Sequence, residues 1–126
     1  MPETLFLFAF INAVLLSVHE VDSAFWKEWE LFRIPGGLAG FLLLHIPLFG
    51  FIFYGLIEVY ESTYFGLIYS LIMAVGGVAA FTIHTLLLRR GDSRFRYPAS
   101  IAVLVGALIA SLAQGVTAAL ILFSRS

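Results

Sequence analysis

Three histidines, His19, His45 and His84, are the residues of this chain best suited to chemistry. Neutral imidazoles bind Zn²⁺ and Fe²⁺, and three protein ligands leave a coordination position open for water or substrate. Asp22 lies three residues after His19, on the same side of a helix, and adds a carboxylate. The sequence therefore predicts a divalent metal cofactor, zinc or iron, bound by His19, Asp22, His45 and His84, with Asp22 also the candidate catalytic group.

Each histidine belongs to a different hydrophobic stretch, and these stretches define the class of protein. The 126 residues are 61% hydrophobic and 12% charged, whereas soluble domains are roughly 45–50% apolar. Four stretches approach the roughly 20 residues that a helical span needs. We expect an all-α integral membrane protein, a single membrane domain over 1–126 that forms a bundle of four transmembrane helices in the lipid bilayer. The spans are predicted at 4–21, 35–59, 64–88 and 98–123.

Several classes of site are excluded by what the sequence lacks. With no cysteine, the chain has no disulfide, thiolate metal site or iron–sulfur cluster. It also has no phosphate-binding glycine loop, no serine nucleophile elbow and no basic stripe. Nucleic acid is therefore not an expected partner.

The positive charges predict the orientation. Six of the seven Lys and Arg residues fall in the connections after the first and third spans, and such residues concentrate on the cytoplasmic side. We expect a protein of the cytoplasmic (inner) membrane with both termini outside.

The segment 24–32 has a different pattern. Phe25, Trp26, Trp29 and Phe32 recur on one helical face, with charged residues opposite. Because tryptophan favours the headgroup level, the segment is predicted to be a short interfacial helix. It would serve as an anchor or as a lid over a site that opens to the cytoplasmic leaflet.

Depth along the helices indicates which histidines can meet. At about 1.5 Å per residue, His19 and His45 lie roughly 22 and 21 Å from the outer surface, and His84 roughly 30 Å. We therefore expect His19 and His45 in one polar pocket, with Asp22 at its cytoplasmic rim and His84 brought up by tilt. Asn12 continues the polar face of the first span, and Pro47 is predicted to kink the second.

Small residues recur every four positions on the fourth span. They are Ala107, Ser111, Gly115 and Ala119. Such ladders let helices approach closely, either within the monomer or in a homo-oligomer. Gln114, near this ladder, is interpreted as an interhelical hydrogen-bonding group.

The run from His19 to Trp29, His-Glu-Val-Asp-Ser-Ala-Phe-Trp-Lys-Glu-Trp, resembles a family of small, uncharacterised bacterial membrane proteins over the whole chain. That family is similar in pattern to a second one, named for a His-x-x-Glu-Glu signature at the end of the first helix. Here Asp22 stands for the first glutamate and Ser23 for the second. The resemblance implies a four-helix membrane fold and draws attention to His19 and Asp22, but it implies no reaction.

Four functions fit these residues. The first is an intramembrane metal-dependent enzyme that acts on a lipid-soluble small molecule near the cytoplasmic leaflet. The second is a small proton-coupled transporter in which the histidines and Asp22 form a relay. The third is a b-type haem protein with His19 and His84 as axial ligands. The fourth is a structural or accessory membrane protein without catalysis, in which the histidines hydrogen-bond between helices.

Overall fold

The computed structural model describes residues 2–126 and contains five helices. They are α1 (Pro2–Phe25), α2 (Glu28–Leu31), α3 (Gly37–Tyr60), α4 (Tyr64–Arg89) and α5 (Pro98–Arg125). The described residues contain no strand. The four long helices are sufficiently long and apolar to cross a membrane. The structure confirms the predicted all-α four-span bundle.

The helix boundaries follow from local chemistry. Helix α1 continues four residues past the predicted end of the first span and stops where Lys27 adopts a left-handed conformation, with φ of 54°. Gly36, with φ of 90°, precedes α3 and supplies a conformation that glycine adopts without strain. Thr63 caps α4 by accepting a hydrogen bond from the Gly66 amide at 3.0 Å. Within segment 24–32, only Glu28–Leu31 forms a separate helix.

The long helices form a ring in which α1 packs on α3 and α5, and α4 also packs on α3 and α5. Helices α1 and α4 therefore face each other diagonally. The outer surface carries large exposed apolar side chains on every long helix, as expected where lipid surrounds the bundle.

The interior is layered along the bundle axis. Near the chain termini it is apolar, and the buried cluster includes Leu5, Ile52, Val59, Leu67 and Ile121. A polar layer follows, and at the opposite end, beside the connections 26–36 and 90–97, lie the three histidines. This end contains six of the seven Lys and Arg residues, so by the same charge rule it is the expected cytoplasmic end.

Close approach of α4 and α5 depends on the small-residue ladder. A Cβ atom on Gly77 would overlap the side chain of Ser111, and one on Gly115 would lie 2.6 Å from the Cβ of Ala74. The ladder thus packs within the monomer, which is one of its two predicted uses. The exposed face of α5 is formed by larger residues such as Ile109 and Val116.

Candidate metal centre

Two histidines from diagonal helices and one glutamate from the short helix meet at the expected cytoplasmic end. One potential ligand atom from each of His19, Glu28 and His84 lies within 4.8 Å of the other two. The imidazole rings contact edge to face with centroids 4.8 Å apart, and both side chains are buried. The bundle axis is thus lined here by two imidazoles, with a carboxylate supplied by α2.

The hydrogen bonds of His84 determine which nitrogen is available. Its Nδ1 lies 2.7 Å from the Ala80 carbonyl, and because a carbonyl only accepts, Nδ1 carries the proton and donates. Nε2 then presents its lone pair in the neutral ring. Such a bond on the opposite nitrogen is the usual support of a metal-binding histidine.

The three residues share a second property. Among residues 2–126, His19 Nδ1, Glu28 Oε2 and His84 Nε2 are buried and have no hydrogen-bond partner. Buried polar atoms normally have partners because leaving one unpaired costs about 1–3 kcal/mol. An unpaired atom on each of three adjacent ligand-type residues is the pattern expected of a site that binds a cation.

Phe95 covers this cluster from the connection between α4 and α5. It is 2% exposed, and its ring centroid lies 4.5 Å from that of His84 and 6.0 Å from that of His19. Its φ of 65° is unusual for a bulky residue, and such conformations concentrate at functional sites. Phe95 therefore excludes water from one side of the histidine pair.

His45 has other partners. Its Nδ1 donates to the Phe41 carbonyl at 2.6 Å, and its Nε2 lies 2.5 Å from Glu20 Oε2. The imidazole of His45 on α3 and the carboxylate of Glu20 on α1 are thus hydrogen-bonded to each other. His45 does not belong to the 4.8 Å group, although it was predicted as a ligand from its depth. Depth along a helix does not determine the direction in which a side chain points around the helix axis, and His45 points towards Glu20.

Asp22 also lies outside the 4.8 Å group. Its Oδ1 accepts hydrogen bonds from Trp26 Nε1 at 2.8 Å and from Ser100 Oγ at 3.0 Å. Of the predicted ligand set, the structure thus brings His19 and His84 together and places Asp22 and His45 outside the group, and it adds Glu28 as a third candidate ligand. Asp22 instead links the end of α1 to the start of α5.

The polar layer in the middle of the bundle is a connected network. Asn12 donates to Gln114 at 2.8 Å, Gln114 donates to Ser70 at 3.1 Å, and Ser111 donates to Asn12 at 3.1 Å. All four side chains are buried. The interpretation of Gln114 as an interhelical hydrogen-bonding group is confirmed.

The comparison of sequences gives the family. Residues 5–120 match a family described as "Family of unknown function (DUF6713)". The chain belongs to DUF6713. No curated protein and no solved structure gives a significant match to this DUF6713 protein. The match confirms membership of an uncharacterised family; the motif and the likeness to the His-x-x-Glu-Glu family stay predictions.

Sequence reasoning missed Glu28 and Phe95 in this DUF6713 protein. Glu28 was assigned to the solvated face of an interfacial helix, but α1 ends at Phe25 and the chain turns at Lys27, which directs α2 back over the bundle end. One signal was available in the sequence: Glu28 is an acidic residue that follows shortly after the hydrophobic segment containing His19. Phe95, one of two aromatic residues in a charged connection, gave no comparable signal.

Proposed function

We propose that this DUF6713 protein is a membrane-embedded metalloprotein that binds Zn²⁺ or Fe²⁺ through His19, Glu28 and His84 and acts on a lipid-soluble substrate. The observation behind this proposal is the convergence of these three residues, each with a buried, unpaired nitrogen or oxygen. The expected cytoplasmic end of the bundle, in an inner membrane with both termini outside, is its proposed location.

The separation of the ligand atoms is compatible with a single ion. Zinc lies about 2.0–2.2 Å from nitrogen and carboxylate oxygen, so two donors to one ion are at most about 4.4 Å apart. The three atoms lie within 4.8 Å of one another. Side-chain rotations that move an atom by less than about an ångström would bring the set to bonding distance.

Two histidines and one carboxylate supply fewer protein ligands than either metal accepts. The same set occurs at catalytic zinc sites with a fourth position for water, and at non-haem iron sites with open positions for oxygen and substrate. A bound Zn²⁺ would lower the pKa of a coordinated water, and Fe²⁺ would provide redox chemistry. Of this chain's residues, His19, Glu28 and His84 would position the ion, and Phe95 would restrict water.

The substrate class follows from the location. No span leads to a water-soluble domain within residues 2–126, and the cluster is enclosed by helices whose outer faces are apolar. A substrate would therefore reach the cluster from the membrane or its interface. The haem alternative has no such support, because axial histidines lie on opposite faces of a porphyrin, whereas the rings of His19 and His84 contact each other.

The experiment is metal analysis of purified protein carrying an affinity tag without histidine. Elemental analysis of protein in mild detergent is expected to find one zinc or iron per chain, lost in His19→Ala, His84→Ala and Glu28→Gln. His45→Ala is the matched control, because it removes a buried histidine at the same end of the bundle and should retain the metal. The absorption spectrum separates iron from zinc.

Either of two results would count against the proposal. One is wild-type protein that stays free of metal after growth with added zinc and iron. The other is equal metal content in folded His84→Ala and in His45→Ala. In that case the histidines would act only as interhelical contacts, and the accessory role would be the better description.

A further inference from the structure

A buried serine lies next to the metal cluster and has no hydrogen-bond partner. Ser23 is fully buried on α1, and among residues 2–126 its Oγ has no partner. Three other serines in that range are buried, and each hydrogen-bonds to a side chain on another helix. They are Ser70, Ser100 and Ser111. Ser23 is therefore the exception among the buried serines of the described chain.

The hydroxyl of Ser23 is not satisfied by its own helix. A serine or threonine inside a helix commonly donates to the carbonyl four residues earlier, as Thr82 does to Val78 at 2.8 Å. Ser23 makes no such bond to His19. Because buried polar groups normally have partners, a free donor at this position is suited to a bound ligand.

The position of Ser23 on α1 brings it to the cluster. It follows His19 by four residues, which is about 6 Å along the helix axis and about 40° around it. Both side chains are buried and are neighbours on one helix face. Glu28, in the helix that follows α1, places a ligand atom within 4.8 Å of one on His19. Ser23 lies one turn from His19 in the direction of that helix, so its hydroxyl faces the side of the cluster from which Glu28 enters.

The chemistry of the metal site gives this hydroxyl a role. Two imidazoles and one carboxylate leave an open position for water or for a substrate oxygen. The Phe95 ring, which covers the histidine pair, has no group that donates to such an oxygen. We propose that the Ser23 hydroxyl lies beside the open position and donates a hydrogen bond to the oxygen atom bound there. The inference rests on the proposed function, because the oxygen ligand is held by the metal.

The hydrogen bond would orient a metal-bound water or hold the oxygen of a substrate against the ion. Ser23 is thus a positioning residue and not a fourth protein ligand. A variant without the hydroxyl should therefore keep the metal and change the affinity for whatever binds to it.

A cobalt-loaded cysteine variant tests the position of Ser23. The chain contains no cysteine, so Ser23→Cys introduces a single thiol beside the proposed open position. A thiolate binds zinc at about 2.3 Å, and on Co²⁺ it gives an intense near-ultraviolet charge-transfer band that nitrogen and oxygen ligands do not give. We expect this band in Ser23→Cys loaded with Co²⁺ and not in the cobalt-loaded wild type.

Ser17→Cys is the matched control. Ser17 is also on α1, and its Oγ is also buried without a partner in residues 2–126. It precedes His19 by two residues, which places it about 160° around the helix from His19, so its side chain points away from the cluster. Ser17→Cys should bind one Co²⁺ per chain and lack the band.

Azide binding measures the hydrogen bond itself, because azide is an anion that takes an open position on Co²⁺. A hydrogen bond to a charged ligand corresponds to at least about a tenfold difference in affinity. Ser23→Ala should therefore keep one Co²⁺ per chain and bind azide at least about tenfold more weakly than the wild type, in titrations followed by cobalt absorption. Ser17→Ala should bind azide as the wild type does. This titration is decisive if Ser23→Cys does not fold.

The inference would be overturned by a folded, cobalt-loaded Ser23→Cys whose band is absent or no stronger than that of Ser17→Cys. Wild-type azide affinity in Ser23→Ala would overturn it equally. In both cases the wild type still binds metal, so the proposed function would stand. A wild-type protein that binds no zinc, iron or cobalt would instead refute the proposed function and this inference together.

Discussion

Two consecutive glycines on α4 should respond in opposite ways to the same substitution. A Cβ on Gly76 would meet no atom within 4 Å, whereas a Cβ on Gly77 would overlap the Ser111 side chain. Gly76→Ala should be neutral or stabilising by up to about 1 kcal/mol, the helix-propensity difference between the two residues. Gly77→Ala should destabilise the bundle.

The size of the Gly77 effect combines three terms. Overpacking costs about 1–3 kcal/mol, and displacement of Ser111 breaks its hydrogen bond to Asn12, worth about 0.6 kcal/mol and at most about 1.7 in a membrane protein. Helix propensity returns about 1 kcal/mol. The net loss in free energy of unfolding is about 0.6–3.7 kcal/mol.

The assay is equilibrium unfolding in mixed micelles, followed by far-ultraviolet circular dichroism. Ser111→Gly should rescue Gly77→Ala, because it removes both atoms that the new Cβ would meet. The free energy of unfolding of the double variant should exceed the value predicted by adding the two single changes by more than about 1 kcal/mol. Coupling of this size is expected of residues in contact. Equal stability of Gly76→Ala and Gly77→Ala would refute the close packing of α4 on α5 at Gly77.

Three further predictions concern the cluster and its surroundings. Metal retention, measured by dialysis between pH 8 and 5, should fall as the pH is lowered, because protons compete with the ion for imidazole and carboxylate. Retention that is the same at every pH would argue against a histidine site. Phe95→Ala should speed removal of the metal by a chelator, because the ring that covers His84 is lost, and should lower the free energy of unfolding by about 3–5 kcal/mol. An unchanged rate of metal removal would show that Phe95 does not restrict access to the cluster. Tyr69→Phe should cost about 0.5–1.5 kcal/mol, because the buried Tyr69 hydroxyl donates to the Ile52 carbonyl at 2.9 Å; wild-type stability in the same unfolding assay would contradict that bond.

Much of the fold was determined by composition and periodicity. Stretches of apolar residues near 20 in length have few alternatives to helices that cross a bilayer, because every backbone group must be satisfied within the segment. The number of long helices, their approximate limits and the polar face containing Asn12 and His19 could therefore be predicted from the sequence. So could the interhelical role of Gln114, since a lone amide among small residues requires a partner inside the bundle.

The composition of the site depended on tertiary structure. The sequence identified histidines on three spans. Which side chains meet depended on how each helix is rotated about its own axis and on the path of the first connection. Helices α1 and α4 lie diagonally across the bundle, and His19 contacts His84 across its axis. His45 lies on α3, which is adjacent to α1, and contacts Glu20 there. The turn at Lys27 brings in Glu28. Local sequence determines which segments are helices and how long they are, whereas contacts between residues far apart in the chain depend on the packing of all four helices together.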